Sequence, residues 1–487
     1  MIDFGTISNV VGALLISLGL FMLTALPFAW YYGQGDALPI TLAAGTTMLV
    51  GALSWWYKFK VKENVGKREG YLIVLIGWLT MSAFSMLPYL FSGTFTNLSD
   101  AFFESVSGLT TTGASVLNDI EAVPAGILFW RSLTQWIGGM GIIVLMVAIF
   151  PLLGIGGVEL FVAEAPGSSL EKIHPRIKEI AKRLWFIYLG LTTLLMFILW
   201  ALGMTFYEAI NHALTTMATG GFSTKNASVA HFTNPAIQYT ILVFMFLAGI
   251  NYTVLYYGLT RKFDKVWRSD EFKTYLVLVL ILIAVVTGTI YSVTDLSFEQ
   301  SFRDAAFQIV SIVTTTGFVS ADYTSWTPAL SLLFFFLLFM GACAGSTSGG
   351  IKIIRHLVFF KNSFLEFKRL LHPNAIIRTK IDNQVVAPKV MTHILVFLLL
   401  YLMLFFFGSL IMVTILNDFD QPLLSALGAV ATALGNVGPA LADLSPVDNF
   451  AAVPASGKYV LTVLMLLGRL ELFTILVVFT PYFWRSN

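Results

Sequence analysis

The sequence predicts an all-α polytopic membrane protein: four pseudo-symmetric repeats, each helix, pore helix, helix, around a central pore, preceded by an extra transmembrane hairpin. Three observations carry this. Of 487 residues, 57% are hydrophobic and only 11% charged, more apolar surface than a water-soluble chain of this length can hide. Long apolar runs recur along the chain, and their connections alternate between basic and acidic. Finally, four short segments align without a gap and end on glycine: Asp100-Ala101 to Gly113, Glu208-Ala209 to Gly221, Asp304-Ala305 to Gly317, and Ser425-Ala426 to Gly438.

Runs able to span a bilayer fall near 7–30, 39–57, 71–90, 126–153, 184–202, 235–258, 275–293, 328–360, 390–416 and 459–479. The first two form the extra hairpin, 1–66, and the first run lacks the basic leader of a signal peptide. The rest divide into pore repeats at 67–163, 164–268, 269–380 and 381–487. One set of connections is rich in Lys and Arg: Lys58, Lys60, Lys62, Lys67 and Arg68; Lys172, Arg176, Lys178, Lys182 and Arg183; Arg261 to Arg268; Arg355 to Lys389. The other set holds the four glycine segments with Asp119, Glu121, Asp295, Asp322, Asp420, Asp443 and Asp448. The excess of positive charge places the first set in the cytoplasm, with both termini, and the glycines on the outer side. The lone Cys343 lies in an apolar stretch, which excludes an intrachain disulfide.

Within each repeat the segment ahead of the glycine is long enough for two to three helical turns, too short to cross. The leaders Asp100, Glu208 and Asp304 suit a helix N-terminus, so the partly negative C-terminal ends would face the axis. Four glycines then free the backbone to turn carbonyls inward, the arrangement that replaces the water around a monovalent cation. A single such glycine reads more readily as a packing contact or an ordinary turn; four in register do not. The expected filter comprises Thr111, Thr112 and Gly113; Gly220 and Gly221; Thr315, Thr316 and Gly317; Asn436, Val437 and Gly438. Register stays open in two copies, where Gly220 competes with Gly221 and Gly435 with Gly438. Four residues after each leader stand Glu104, His212, Gln308 and Ala429; Glu104 or His212 reads as a proton or ion ligand, or the polar members as braces behind the filter, the reading that buried polar groups favour.

The outgoing span of the third repeat is interrupted by Gly341 to Gly350, a run with no expected equivalent in the other repeats. Residues Gly345, Ser346, Thr347, Ser348, Gly349, Gly350 and Lys352 read as a movable constriction or as a small-residue packing seam. Arg469 falls near mid-membrane, as a positive barrier in a cation path or half of a structural ion pair.

Together these features resemble the Trk/Ktr/HKT potassium-transporter superfamily, most closely its bacterial uptake branch with the extra hairpin. That resemblance covers the whole chain. It implies a filter with potassium at Thr112, Gly113, Gly220, Gly221, Thr316, Gly317, Val437 and Gly438. It implies that the interrupted span is a gating loop and that Arg469 is the barrier beside it. It further implies a homodimer in the bacterial inner membrane, regulated by a cytosolic nucleotide-binding TrkA-like subunit. Potassium in the filter is the only bound species expected, with no covalent cofactor and no nucleic-acid partner. Channel-like passage and symport coupled to sodium or protons both stay open. An intramembrane enzyme would need a nucleophile with its base, paired acids or metal ligands at membrane depth, and no such spacing occurs.

Overall fold

The computed structural model describes residues 2–56, 66–144 and 173–485, excluding the side chains of 142–144 and 173–178. Lys58, Lys60, Lys62 and Lys172, the side chains of Arg176 and Lys178, and the far end of the run at 126–153 lie outside the described residues.

The chain begins with Phe4–Leu23, whose first turn is capped by Asp3: the Gly5 amide donates to Asp3 Oδ1 at 3.0 Å. It continues through Leu26–Tyr32 and returns as Ala37–Trp56. The two long helices touch backbone to backbone at Gly12 and Gly51. A methyl group on Gly12 would lie 2.6 Å from the Gly51 oxygen, so only glycine fits this crossing.

Four repeats follow. Each has an incoming helix: Lys67–Ser85, Ile173–Ala201, Asp270–Val293 and Pro388–Ile415. Each then has a short pore helix: Leu98–Leu109, Phe206–Met217, Phe298–Val313 and Pro422–Gly435. At 1.5 Å per residue these reach about 18–24 Å, less than the hydrocarbon thickness. Polarity runs in the reverse sense to a soluble protein. From Ala101, Ala209, Asp304 and Ser425 onward the pore helices are buried almost all round, whereas Leu399, Leu402, Phe406 and Leu410 form an exposed apolar stripe along Pro388–Ile415, suited to lipid. This is a multi-pass membrane protein.

Two sequence expectations need correction. Asp304 does not lead its pore helix, which begins two turns earlier at Phe298; Ser297 caps it, accepting from the Gln300 amide at 3.2 Å, and Glu299 is the acid of the first turn. Asp100 and Glu208 do lie in first turns, Glu208 in a reciprocal capping box with Thr205. Second, the third repeat is not alone in having a broken outgoing span. Pro235–Ala248 bends by 110° into Tyr252–Leu259, and Ala455–Arg469 by 112° into Leu472–Phe479. Counting each bent pair as one span, the described residues hold up to eight helices long and apolar enough to cross. Of the ten expected runs, Ala125–Val144 leads out of the described residues, and the run from Pro328 is split into Pro328–Leu337 and Ile353–Leu371.

Candidate functional site

Every pore helix ends in the same turn. The amides of Thr112, Gly220, Thr316 and Val437 donate to the carbonyls of Ser107, Thr215, Ser311 and Thr432, each five residues back, at 2.8–3.1 Å. The amides of Thr111, Thr219, Thr315 and Asn436 reach three residues back. These are Schellman caps, and the residue they place in the left-handed region is usually glycine. Here it is Thr111, Thr219, Thr315 and Asn436, with φ of 53°, 53°, 55° and 53°. A β-branched residue in that region is strained, by roughly 1–3 kcal/mol each. Two residues later Gly113, Gly221, Gly317 and Gly438 again have positive φ, from 77° to 106°. The register is thereby fixed: Gly221 and Gly438 match Gly113 and Gly317, Gly220 matches Thr112, and Gly435 is the last residue of its helix.

The four turns form a closed ring. A methyl group on Gly113 would strike the Gly220 carbonyl oxygen, one on Gly221 that of Thr316, one on Gly317 that of Val437, and one on Gly438 that of Thr112. Each copy thus abuts the next and the fourth abuts the first, which requires a shared axis. The glycines are needed twice over, for their φ and for this close approach.

Side chains behind the ring brace it unequally. Glu104 accepts from Ser115 Oγ at 3.0 Å, from the Val116 amide at 2.9 Å and from Arg131 Nε at 2.6 Å. Arg131 also lies over the Phe222 ring, 3.5 Å from its centroid, and donates to the Ser223 carbonyl, joining the first two copies. His212 bonds the Glu208 carbonyl and Ser223 Oγ through its two nitrogens, and Gln308 donates to Ser320 Oγ. Ala429 has no polar group to offer. Gln135 grips the second turn from both sides, donating to the Gly220 carbonyl at 2.6 Å and accepting from the Phe222 amide at 3.0 Å.

Directly beneath, residues 338–352 fold as a loop whose apex touches three of the strained turns or their helices. Thr347 Oγ1 donates to the Met217 carbonyl, and Thr219 Oγ1 donates to Thr347 Oγ1. The Gly349 amide donates to Thr315 Oγ1 at 2.6 Å, and a methyl group on Gly349 would lie 2.8 Å from Asn436 Cβ. Arg469 reaches in from the fourth repeat. Its guanidinium donates to the Thr347 carbonyl at 2.7 Å and to the Gly138 carbonyl at 3.1 Å, and among the described residues it faces no carboxylate within ion-pair distance. The nearby Glu471 pairs instead with Arg355. Lys352 turns back on the loop and donates to Ser348 Oγ at 3.0 Å. A small cavity below is lined by Ser348, Gly350, Lys352, Arg355, Arg469 and Glu471.

The profile of the cation transport protein family TrkH matches residues 39–486. The chain belongs to this family. It is 40% identical to the Trk system potassium uptake protein TrkH of Salmonella typhimurium over 99% of this chain and 100% of that one. The TrkH protein of Escherichia coli K12 is 39% identical with the same coverage. The crystal structure of the potassium transporter TrkH from Vibrio parahaemolyticus matches with a TM-score of 0.90 at 36% identity, covering 99% of this chain and 100% of that one.

For this TrkH-family chain, the structure brings all the expected filter residues into the ring. It divides the expected gate residues. Thr347 and Gly349 touch the filter turns, while Ser346 and Ser348 bond within the loop and Gly345 lies at its neck, its carbonyl accepting from the Tyr252 amide. Thr219 was missed, although it aligns with Thr111 and Thr315 once Gly221 is taken as the matching glycine. Arg131 and Gln135 were also missed; both are polar residues inside an apolar run, a signal in itself.

Proposed function

We propose that this chain is the potassium-translocating subunit of a Trk-type uptake system. Potassium passes passively through the four-copy ring, where main-chain oxygens of Thr112, Gly220, Thr316 and Val437 and their glycines replace its hydration shell. Loop 338–352 acts as the gate, and Arg469 as a positive barrier whose charge the loop holds beneath the filter. The observation that carries this reading is the closed circuit of glycine-to-carbonyl contacts around one axis.

Symport is the second reading. It needs a titratable group free to exchange a proton, or a second ion site, and the hydrogen-bonding capacity of Glu104 and His212 is committed to braces. This supports passive conduction without enzymatic turnover. The chain would reside in the bacterial inner membrane with both termini cytoplasmic, as a homodimer, its basic face docking a TrkA-like nucleotide-binding subunit. Rescue of potassium-limited growth in a strain lacking uptake systems tests the substrate. In liposomes, a reversal potential that follows potassium alone, at every sodium concentration and pH, supports passive conduction; potassium accumulated against its own electrochemical gradient on imposing a sodium or proton gradient establishes symport.

A further inference from the structure

The loop beneath the filter is zipped at its neck by main-chain bonds between its two arms. The Ile351 amide donates to the Phe339 carbonyl at 3.0 Å, the Gly341 amide to Ile351 at 2.9 Å, and the Ile353 amide to Ala342 at 3.1 Å. The next rung has no main-chain acceptor. Its two donors, the amides of Ala344 on one arm and Ile354 on the other, both point at a single side-chain oxygen, Glu271 Oε1, at 2.6 and 3.2 Å. Ile354 is the second residue of Ile353–Leu371, where amides lack helical partners and negative charge is favoured. Glu271 is buried, and it belongs to a different element, the start of the incoming helix Asp270–Val293.

Its neighbour faces the other way. Asp270 Oδ2 accepts from Lys361 Nζ at 3.0 Å and from the Asp382 amide at 3.1 Å, while the Asp270 amide donates to Asp382 Oδ1 at 2.6 Å. Asp382 and Asn383, both at positive φ, are the turn of the hairpin Lys380–Ile381/Gln384–Val385. One helical turn therefore holds the loop neck with one residue and the cytoplasmic hairpin with the next.

We propose that Glu271 is the positioning residue that clamps the loop in its occluding place, and that Asp270 ties this clamp to the cytoplasmic hairpin. The inference rests on the loop being the gate. Without the carboxylate, two buried amides lose their acceptor and the closed arrangement is weakened relative to the open one.

The test is rubidium uptake by the full chain in liposomes, with the potassium-to-sodium permeability ratio measured alongside. Glu271→Ala is expected to raise basal uptake about tenfold with an unchanged permeability ratio, a combination that general loosening of the fold does not give. Glu271→Gln keeps an acceptor oxygen and is expected to restore uptake to within about twofold of wild type. Asp270→Ala is expected to raise uptake about threefold alone and to add nothing in the Glu271→Ala background. Wild-type uptake in Glu271→Ala, equal effects of Gln and Ala, or additive effects at 270 and 271 would overturn the clamp. If Glu271→Ala does not yield folded protein, Glu271→Asp carries the test, since its carboxylate is one methylene shorter and is drawn back from both amides, which share one acceptor oxygen; raised uptake is expected, and wild-type uptake there overturns the proposal as well. Deletion of 346–350 separates the two layers. Wild-type uptake after that deletion sinks the gate itself, whereas raised uptake there with wild-type uptake in Glu271→Ala sinks only the clamp.

Discussion

In the orientation proposed above, the outer and inner halves of the proposed pore obey different rules. On the outer side four turns share one hydrogen-bond pattern, one pair of positive φ positions and one glycine contact, repeated around an axis. On the inner side the fourfold rule fails among the described residues: the third repeat unwinds over 338–352, whereas the second and fourth outgoing spans bend by 110° and 112°. On the proposed function, an ion of one size is selected by equivalent ligands on every side, which the symmetric half offers, and a path is occluded by one element that moves while others make room, which the asymmetric half offers.

This contrast can be broken by experiment, because outer variants should change selectivity and inner ones flux. The largest effect is expected from Gly113→Ser, which forces a side chain into a left-handed position already filled by the Gly220 oxygen. The potassium-to-sodium permeability ratio from bi-ionic potentials should fall about tenfold or more; an unchanged ratio would count against the ring as the selective element. Next is Arg469→Ala, which removes the charge and both carbonyl contacts beneath the filter. Basal rubidium flux should rise about tenfold with the ratio intact. A changed ratio with constant flux would reverse the roles of the two halves. Asn436→Ala tests the boundary between them. Asn436 Nδ2 donates to Thr112 Oγ1 at 3.0 Å and to the Met465 carbonyl at 2.9 Å, so its loss should lower the permeability ratio about fivefold, the worth of roughly 1 kcal/mol.

The smallest effect belongs to the outer rim. Asn226 Nδ2 donates to Asp119 Oδ1 at 2.9 Å and holds that carboxyl below the ordinary Asp value. A depressed folded value means that the contact contributes fully above the unfolded Asp value, about 3.9, and is lost only as the outer pH falls through the lower folded one. Selectivity should therefore not respond to this group near neutral pH, and Asn226→Ala should alter the ratio by less than about twofold. A pH-dependent ratio near neutrality in wild type, abolished by Asn226→Ala, would show that the rim takes part in selection.

The repeat plan was legible because four glycines and the apolar runs around them are properties of local sequence. The register at Gly220 and Gly221 was not, since two adjacent glycines offer the same freedom and only the Schellman cap of Thr215–Gly220 separates them. The bends at 249–251 and after Arg469 were hidden for another reason. Hydropathy reports transfer into lipid and carries no direction, so 235–258 reads as one straight span. Asn251, which caps Tyr252–Leu259 by accepting from the Thr253 amide at 2.8 Å, was the local clue. Glu271 was invisible because an acid at the head of a helix beside Lys and Arg looks solvated; its burial follows from a loop seventy residues away folding back onto it.

The circuit closes only between the last repeat and the first. Asn436 meets Thr112, the Phe450 amide donates to the Ser115 carbonyl at 2.8 Å, and Lys458 Nζ reaches Asp100 Oδ1 at 2.7 Å. Without the fourth repeat, the third turn loses the Val437 oxygen that abuts Gly317 and the first loses Gly438 against its Thr112 oxygen, so three repeats make an open arc rather than a narrower ring.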